Sequence, residues 1–182
     1  MIRSRFAPVL SILALAACAD APSEPQLGDV TAVDAQLASV GAESRVTGHW
    51  EITFAGGYQG NYSSNAIVHA DGSVSGEWQL QELGPDGTRY TVHGDVVCVT
   101  ILPDGRTARV GGIIERASSP LPEGYTAAVW TVRDNGEGRG ATDFASDIRY
   151  GYPTGDEQFF CDQGFNLGVF QPVERGNIQV RP

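Results

Sequence analysis

The chain has 182 residues, enough for one domain, and carries 12 Lys+Arg against 22 Asp+Glu for a formal net charge of -10, every basic residue being Arg. This balance excludes recognition of nucleic acid through a dense basic face and attachment to anionic lipid through a polybasic patch. At 41% hydrophobic residues with 23 Gly, the chain can bury a core and is rich in turns.

Arg3 and Arg5 form a positive start, and Val9 to Ala16 is an apolar run too short for a bilayer span, which takes ~20 residues. Residues 1–17 therefore have the pattern of a secretory signal peptide. Leu15-Ala16-Ala17-Cys18 resembles the lipobox of bacterial lipoproteins. The resemblance implies cleavage before Cys18, a diacylglyceryl group on its sulfur and a further acyl group on its amine. It also implies retention in the outer membrane, because Ala19 rather than Asp follows the cysteine. Two or three acyl chains hold a protein firmly where one is marginal. The plainer alternative is an ordinary signal peptide followed by a chance cysteine. Residues 18–44 are small, polar and acidic, with Pro22 and Pro25, and are expected to be a disordered tether. A helix over Thr31–Val40 would be marginal alone.

From residue 45 the apolar period is two. Trp50, Ile52 and Phe54 alternate with polar neighbours, as do Val74, Gly76, Trp78 and Leu80. Tyr90, Val92, Val96 and Cys98 share a phase, as do Ala108, Val110, Gly112 and Ile114, and finally Phe144, Ile148 and Tyr150. Asp71-Gly72, Asp86-Gly87 and Asp104-Gly105 separate successive runs and mark hairpin turns. The predicted strands are 46–55, 63–70, 73–83, 88–102, 106–116, 126–134, 142–150 and 176–181. Short connections make this an all-β antiparallel meander in one domain, 45–182, forming a small barrel with a sandwich as runner-up. Polar off-phase residues argue against a transmembrane barrel. The run Val96–Ile101 is apolar on both phases, so that strand is either covered on both faces or bent between sheets.

Cys98 and Cys161 remain after the leader, Cys161 lying in the otherwise turn-rich segment 151–175. Two thiols in an exported protein usually pair, and the alternative is two buried free thiols. Gly94 to Val99, Ala108 to Gly112, Val129 to Gly138 and Cys161-Asp162 together resemble a group of uncharacterised secreted bacterial β-domains with an Asp-Asn-Gly-Glu loop. That resemblance implies the same fold and a Cys98–Cys161 bridge, and no reaction. Thr142-Asp143 stands where members carry Pro-Asp.

His49, His69 and His93 are out of phase with the buried sets and lack metal-ligand spacing. A Ser–His–Asp triad stays open, since triads assemble in space. Gly136-Glu137-Gly138-Arg139-Gly140-Ala141 matches a dinucleotide fingerprint without the helix that motif needs, so it is expected to be a loop. Asp134, Asn135, Glu137, Asp143 and Asp147 concentrate oxygen ligands. The first four form a possible cation-binding loop, weighed against a solvated acidic hairpin. Trp50, Trp78, Trp130, Tyr90 and Phe144 fall mainly on inward phases. The expected function is therefore a membrane-anchored, non-catalytic acidic β-domain of the cell envelope, with no cofactor and no metal. Its expected partners are the membrane, through the acyl chains, and an envelope protein or glycan. The rivals are a carrier of small hydrophobic ligands in the barrel interior and a hydrolase.

Overall fold

The computed structural model describes residues 43–138 and 140–182. The expected leader, Cys18 with its expected lipidation, and the expected tether up to residue 42 lie outside the described residues. The elements follow in the order β1 (Ser44–Thr53), β2 (Gln59–Val68), β3 (Val74–Leu83), β4 (Arg89–Ile101), β5 (Thr107–Ala117), β6 (Ala127–Arg133), β7 (Phe144–Ala145), β8 (Arg149–Tyr152), α1 (Asp156–Gln163), β9 (Gln171–Pro172) and β10 (Arg175–Arg181). All pairings are antiparallel, and the sheet order is β10-β1-β2-β3-β4-β5-β6-β7-β9, with β8 also beside β6. A single sheet thus curls around one core, the all-β barrel-like meander the alternation predicts.

The three Asp-Gly turns share one chemistry. At the first, Gly72 N bonds to His69 O and His69 N to Ser73 O, a type I turn followed by a left-handed residue, which is Gly72 at φ 84. Asp71 Oδ1 accepts from both the amide and the hydroxyl of Ser73, and Asp86 accepts from the amide of Thr88 on Oδ1 and from its hydroxyl on Oδ2. The exposed Asp104 is held below the usual carboxylate range, at about 2, first by the Thr107 hydroxyl and then by the amides of Arg106 and Thr107. Asp is selected at these turns because its carboxylate completes the loop's hydrogen bonds.

One face of the meander packs inward. Trp50, Tyr62, Trp78, Leu80, Val110, Trp130 and Ile178 are all buried in one cluster reaching from β1 round to β10. Trp78 leans on Trp130 with ring centroids 5.7 Å apart, and Trp50 stacks on Tyr62 at 5.6 Å. Burying one such aromatic removes on the order of 150–250 Å² from water, so three tryptophans account for much of the interior.

The curl closes without a ladder at one seam. β10 pairs with β1 on one side. On its other side Ile178 N donates to Asp143 Oδ2 (2.8 Å) and Val180 N to Asp134 Oδ2 (3.1 Å). Side-chain carboxylates therefore stand in for a neighbouring strand and cap the edge of β10.

Three local expectations are corrected. The first concerns Cys98, which does not share the phase of Val96. A bulge between them puts Cys98 opposite Gly111 and Val99 opposite Val110, so Val99 packs on the barrel core while Cys98 turns to the outer face. Secondly, residues 142–150 are not one strand. They divide into β7 and β8 around Ser146–Ile148, where the ladder is carried by Ser146, whose Oγ accepts from Thr131 N (3.0 Å) and donates to Asp147 O (2.7 Å). The break also changes phase: Phe144 pairs with exposed Arg133 and stacks on Phe170, at 5.8 Å, instead of joining the core. Finally, the turn-rich stretch 151–175 holds a helix, α1, too short for a visible stripe.

Helix α1 explains the doubly apolar strand β4, which is covered on both faces. Phe160 and Leu167 form a second small cluster with Val129, flanked by Tyr152 and Phe165. Cys161 is bridged to Cys98, with Cα atoms 6.2 Å apart. The fit is close: a Cβ at Gly111 would lie 2.6 Å from Cys98 Sγ and 2.8 Å from Glu157 O, so only glycine lets the helix approach.

Candidate functional site

The acidic loop is the first candidate. The structure brings Asp134, Asn135, Glu137 and Asp143 together between β6 and β10. Asp143, only 8% exposed, accepts from Asn135 N (2.9 Å) as well as from Ile178 N. Asp134 accepts from Gly136 N (2.6 Å) as well as from Val180 N. Asn135 Nδ2 donates to Thr142 O, and Glu137 accepts from Gln179 Nε2. The group works as a seam closure, with the carboxylates of Asp134 and Asp143 directed at backbone amides. Among the described residues no group of three or more His, Cys, Asp or Glu side chains is placed to hold a metal ion.

The histidines stand on the outer wall, as their phase predicts, and do not converge. His49 Nε2 lies 3.0 Å from Asn61 Oδ1, and His93 Nε2 lies 4.0 Å from Glu77 Oε2. His69 is different. Its Nε2 is 2.8 Å from Ser75 Oγ and its Nδ1 is 3.5 Å from Glu43 Oε1, the connectivity of a nucleophile, a base and an orienting acid. The β2–β3 turn supplies the geometry by folding His69 back beside the start of β3. The trio sits in the open, with the His69 and Glu43 side chains 37% and 47% exposed. Water reaches it freely, whereas acyl transfer gains most from donors held in a water-excluded site.

A third group lies at the end of the barrel formed by the β1–β2, β3–β4 and β5–β6 loops. All six tyrosines of the chain are here: Tyr58, Tyr62, Tyr90, Tyr125, Tyr150 and Tyr152. Glu82 shares the inward phase of Trp78 and Leu80 and pairs across the sheet with Gly60 and Tyr90. The ring of Tyr62 extends along the inner wall to Gly60, where a Cβ would overlap its hydroxyl, and the hydroxyl donates to Glu82 Oε1 (2.8 Å). The break after Ser146 directs Asp147 towards the same region, held by Arg149 Nε at 3.2 Å. Burial pushes the Glu82 carboxyl up, opposed by the Tyr62 hydrogen bond and reinforced by Asp147. Burial likewise raises Asp147 against the pull of Arg149. Tyr62 is driven far above its ordinary value, first by burial and then by the field of Glu82.

Both raised carboxyls favour the folded state when protonated, so their contribution is fully present below the ordinary carboxylate pKa and is lost as pH rises through the folded values. The domain is therefore expected to gain thermal stability as pH is lowered from neutral towards that range. Glu82→Gln keeps an acceptor for Tyr62 and removes the charge, so it should flatten this slope and raise the melting temperature at pH 7. A scanning-calorimetry series across pH 4.5–7.5 with an unchanged slope in the variant would contradict the assignment.

Sequence periodicity and turn signals locate the strands and hairpins but pass over this group. Its one visible sign was a carboxylate, Glu82, in step with Trp78 and Leu80. Comparison of the chain with protein-family models, curated proteins and solved structures finds no match.

Proposed function

We propose that the chain is an exported lipoprotein, acylated at Cys18, that presents a non-catalytic β-domain to a partner in the cell envelope, at the outer membrane. The lipobox at Leu15-Ala16-Ala17-Cys18 carries this reading. The described domain is compatible with it in two respects: the bridge suits an oxidising compartment, and the wide polar wall of β10-β1-β2-β3-β4 is available for contact. An interior filled by Trp50, Trp78 and Trp130 weighs against a carrier, which needs an apolar hollow. In cells fed an alkyne fatty acid, the parent chain should be labelled, while Cys18→Ala should lose the label and remain uncleaved before residue 18. Label that persists in the variant would sink the reading.

Ser75, His69 and Glu43 favour a second reading, a hydrolase of esters. In that case a fluorophosphonate probe should label Ser75 in the parent chain and not in His69→Ala. An unlabelled parent removes this reading.

A further inference from the structure

We propose that a transverse groove on the outer wall of β1–β4 is a binding site for an uncharged polysaccharide strand. The proposal deepens the reading of the domain as a non-catalytic envelope module and rests on it.

The groove follows from sheet register. Glu51, Asn61, Gln81 and Thr91 are cross-strand partners in one outward row, and Thr53, Gln59, Leu83 and Arg89 form the next. Between the two rows runs the inward-pointing row Ile52, Gly60, Glu82 and Tyr90, which leaves a channel across the strands of about 460 Å³. Adjacent strands are about 4.8 Å apart, so the channel from β10 to β4 is roughly 19 Å long, suited to an extended chain lying across the sheet. Glu174 and Arg175 close one end.

The lining chooses the ligand. Asn61, Gln59, Gln81, Thr53 and Thr91 each offer both a donor and an acceptor, the pairing that a sugar hydroxyl needs. The amides of Gln59 and Gln81 make no hydrogen bond among the described residues, while their neighbours are braced. Asn61 is held between His49 (3.0 Å) and Glu51 (3.4 Å), and Glu51 is paired with Arg175 at 3.7 Å. Both Thr53 N and Thr53 Oγ1 donate to Glu174, at 3.0 and 3.1 Å. Such bracing fixes polar groups in advance and lowers the ordering cost of binding. Charge narrows the class. The carboxylates of Glu51 and Glu174 face the guanidinium groups of Arg175 and Arg89 in the lining, and Glu82 lies inward with its carboxyl raised by burial, which leaves little local attraction for a cation. The acidic domain, with a chain net charge of -10, repels a polyanion. An uncharged polyol chain meets neither obstacle. The opposite wall, over β4–β6, is already covered by α1.

The test uses the full processed chain in detergent micelles, titrated calorimetrically with cellohexaose and, separately, with an oligogalacturonate of similar length. Cellohexaose is expected to bind. The double variant Asn61→Ala/Gln81→Ala should weaken it at least tenfold, and Gln79→Ala/Asn65→Ala, outside this groove on the same wall, should leave it unchanged. Tryptophan fluorescence matching that of the parent shows that a variant is folded. Absence of cellohexaose binding, tighter binding of the oligogalacturonate, or equal loss in both double variants would overturn the site. Shortened cellohexaose in the mass spectrum would instead overturn the non-catalytic reading while leaving the groove in place.

Discussion

Asp143→Ala is expected to open the barrel at its seam. In the parent, one buried carboxylate accepts from Asn135 N on one oxygen and Ile178 N on the other, joining the β6–β7 loop to β10. A hydrogen bond to a charged group contributes about 1.5–3 kcal/mol, so losing two costs about 3–6 kcal/mol. Ile178, at 1% exposure, has no route to water for its stranded amide, which puts the loss at the upper end. Asp143→Asn separates the causes: one oxygen remains, but an NH2 now faces a backbone N–H, and about half the loss should persist. Asp134→Ala should cost less, because Val180 lies nearer the rim at 7% exposure. Urea unfolding would measure the sequence of losses. Amide exchange at Ile178 and Val180 should quicken before that of β2 and β3. Unchanged midpoints in Asp143→Ala would mean that the seam is held by the apolar contacts of Ile178 alone.

The physical limits of sequence reading are visible in the same elements. From β1 to β3 the strands were legible because one face meets the core and the other meets water, and the hairpins from β2 to β5 because Asp-Gly turns carry their own hydrogen-bond chemistry. Legibility failed where a single residue slips register. The bulge after Val96 reverses Cys98 without altering the composition of its strand, and the break at Ser146 reverses Phe144. It failed again at α1, where tertiary packing of Phe160 and a covalent bridge hold eight residues whose own pattern is weak. Asp143 was visible as an acidic residue, but its role was not, since that role depends on a strand 35 residues away. Of the site, the trio of Ser75, His69 and Glu43 was beyond reach because its members come together only through a turn and a strand end. Glu82, by contrast, could be found from its phase.

Reduction of the Cys98–Cys161 bridge is expected to free α1 while the sheet stays folded. The two residues are 63 apart in sequence, and closing a loop of that size removes chain entropy worth ~4 kcal/mol in the unfolded state. What remains to hold the helix is small: Phe160 and Leu167 on Val129, and Arg109 Nη2 donating to Asp162 O at 3.2 Å. The barrel core lies on the other side of β4–β6 and shares no side chain with that cluster. Limited proteolysis should therefore show new cuts between Gly151 and Glu157 only with reductant, and amides of α1 should lose protection before those of β3. Total stability should fall by about 2–5 kcal/mol, as for native bridges in small secreted domains. Because the bulge places Cys98 beneath the helix, the alanine variants at 98 and 161 empty the same interlayer space and should lose similar amounts. Alkylation of the denatured, unreduced chain provides the decisive contrary result: two modified cysteines beyond residue 18 would mean that packing alone seats the helix.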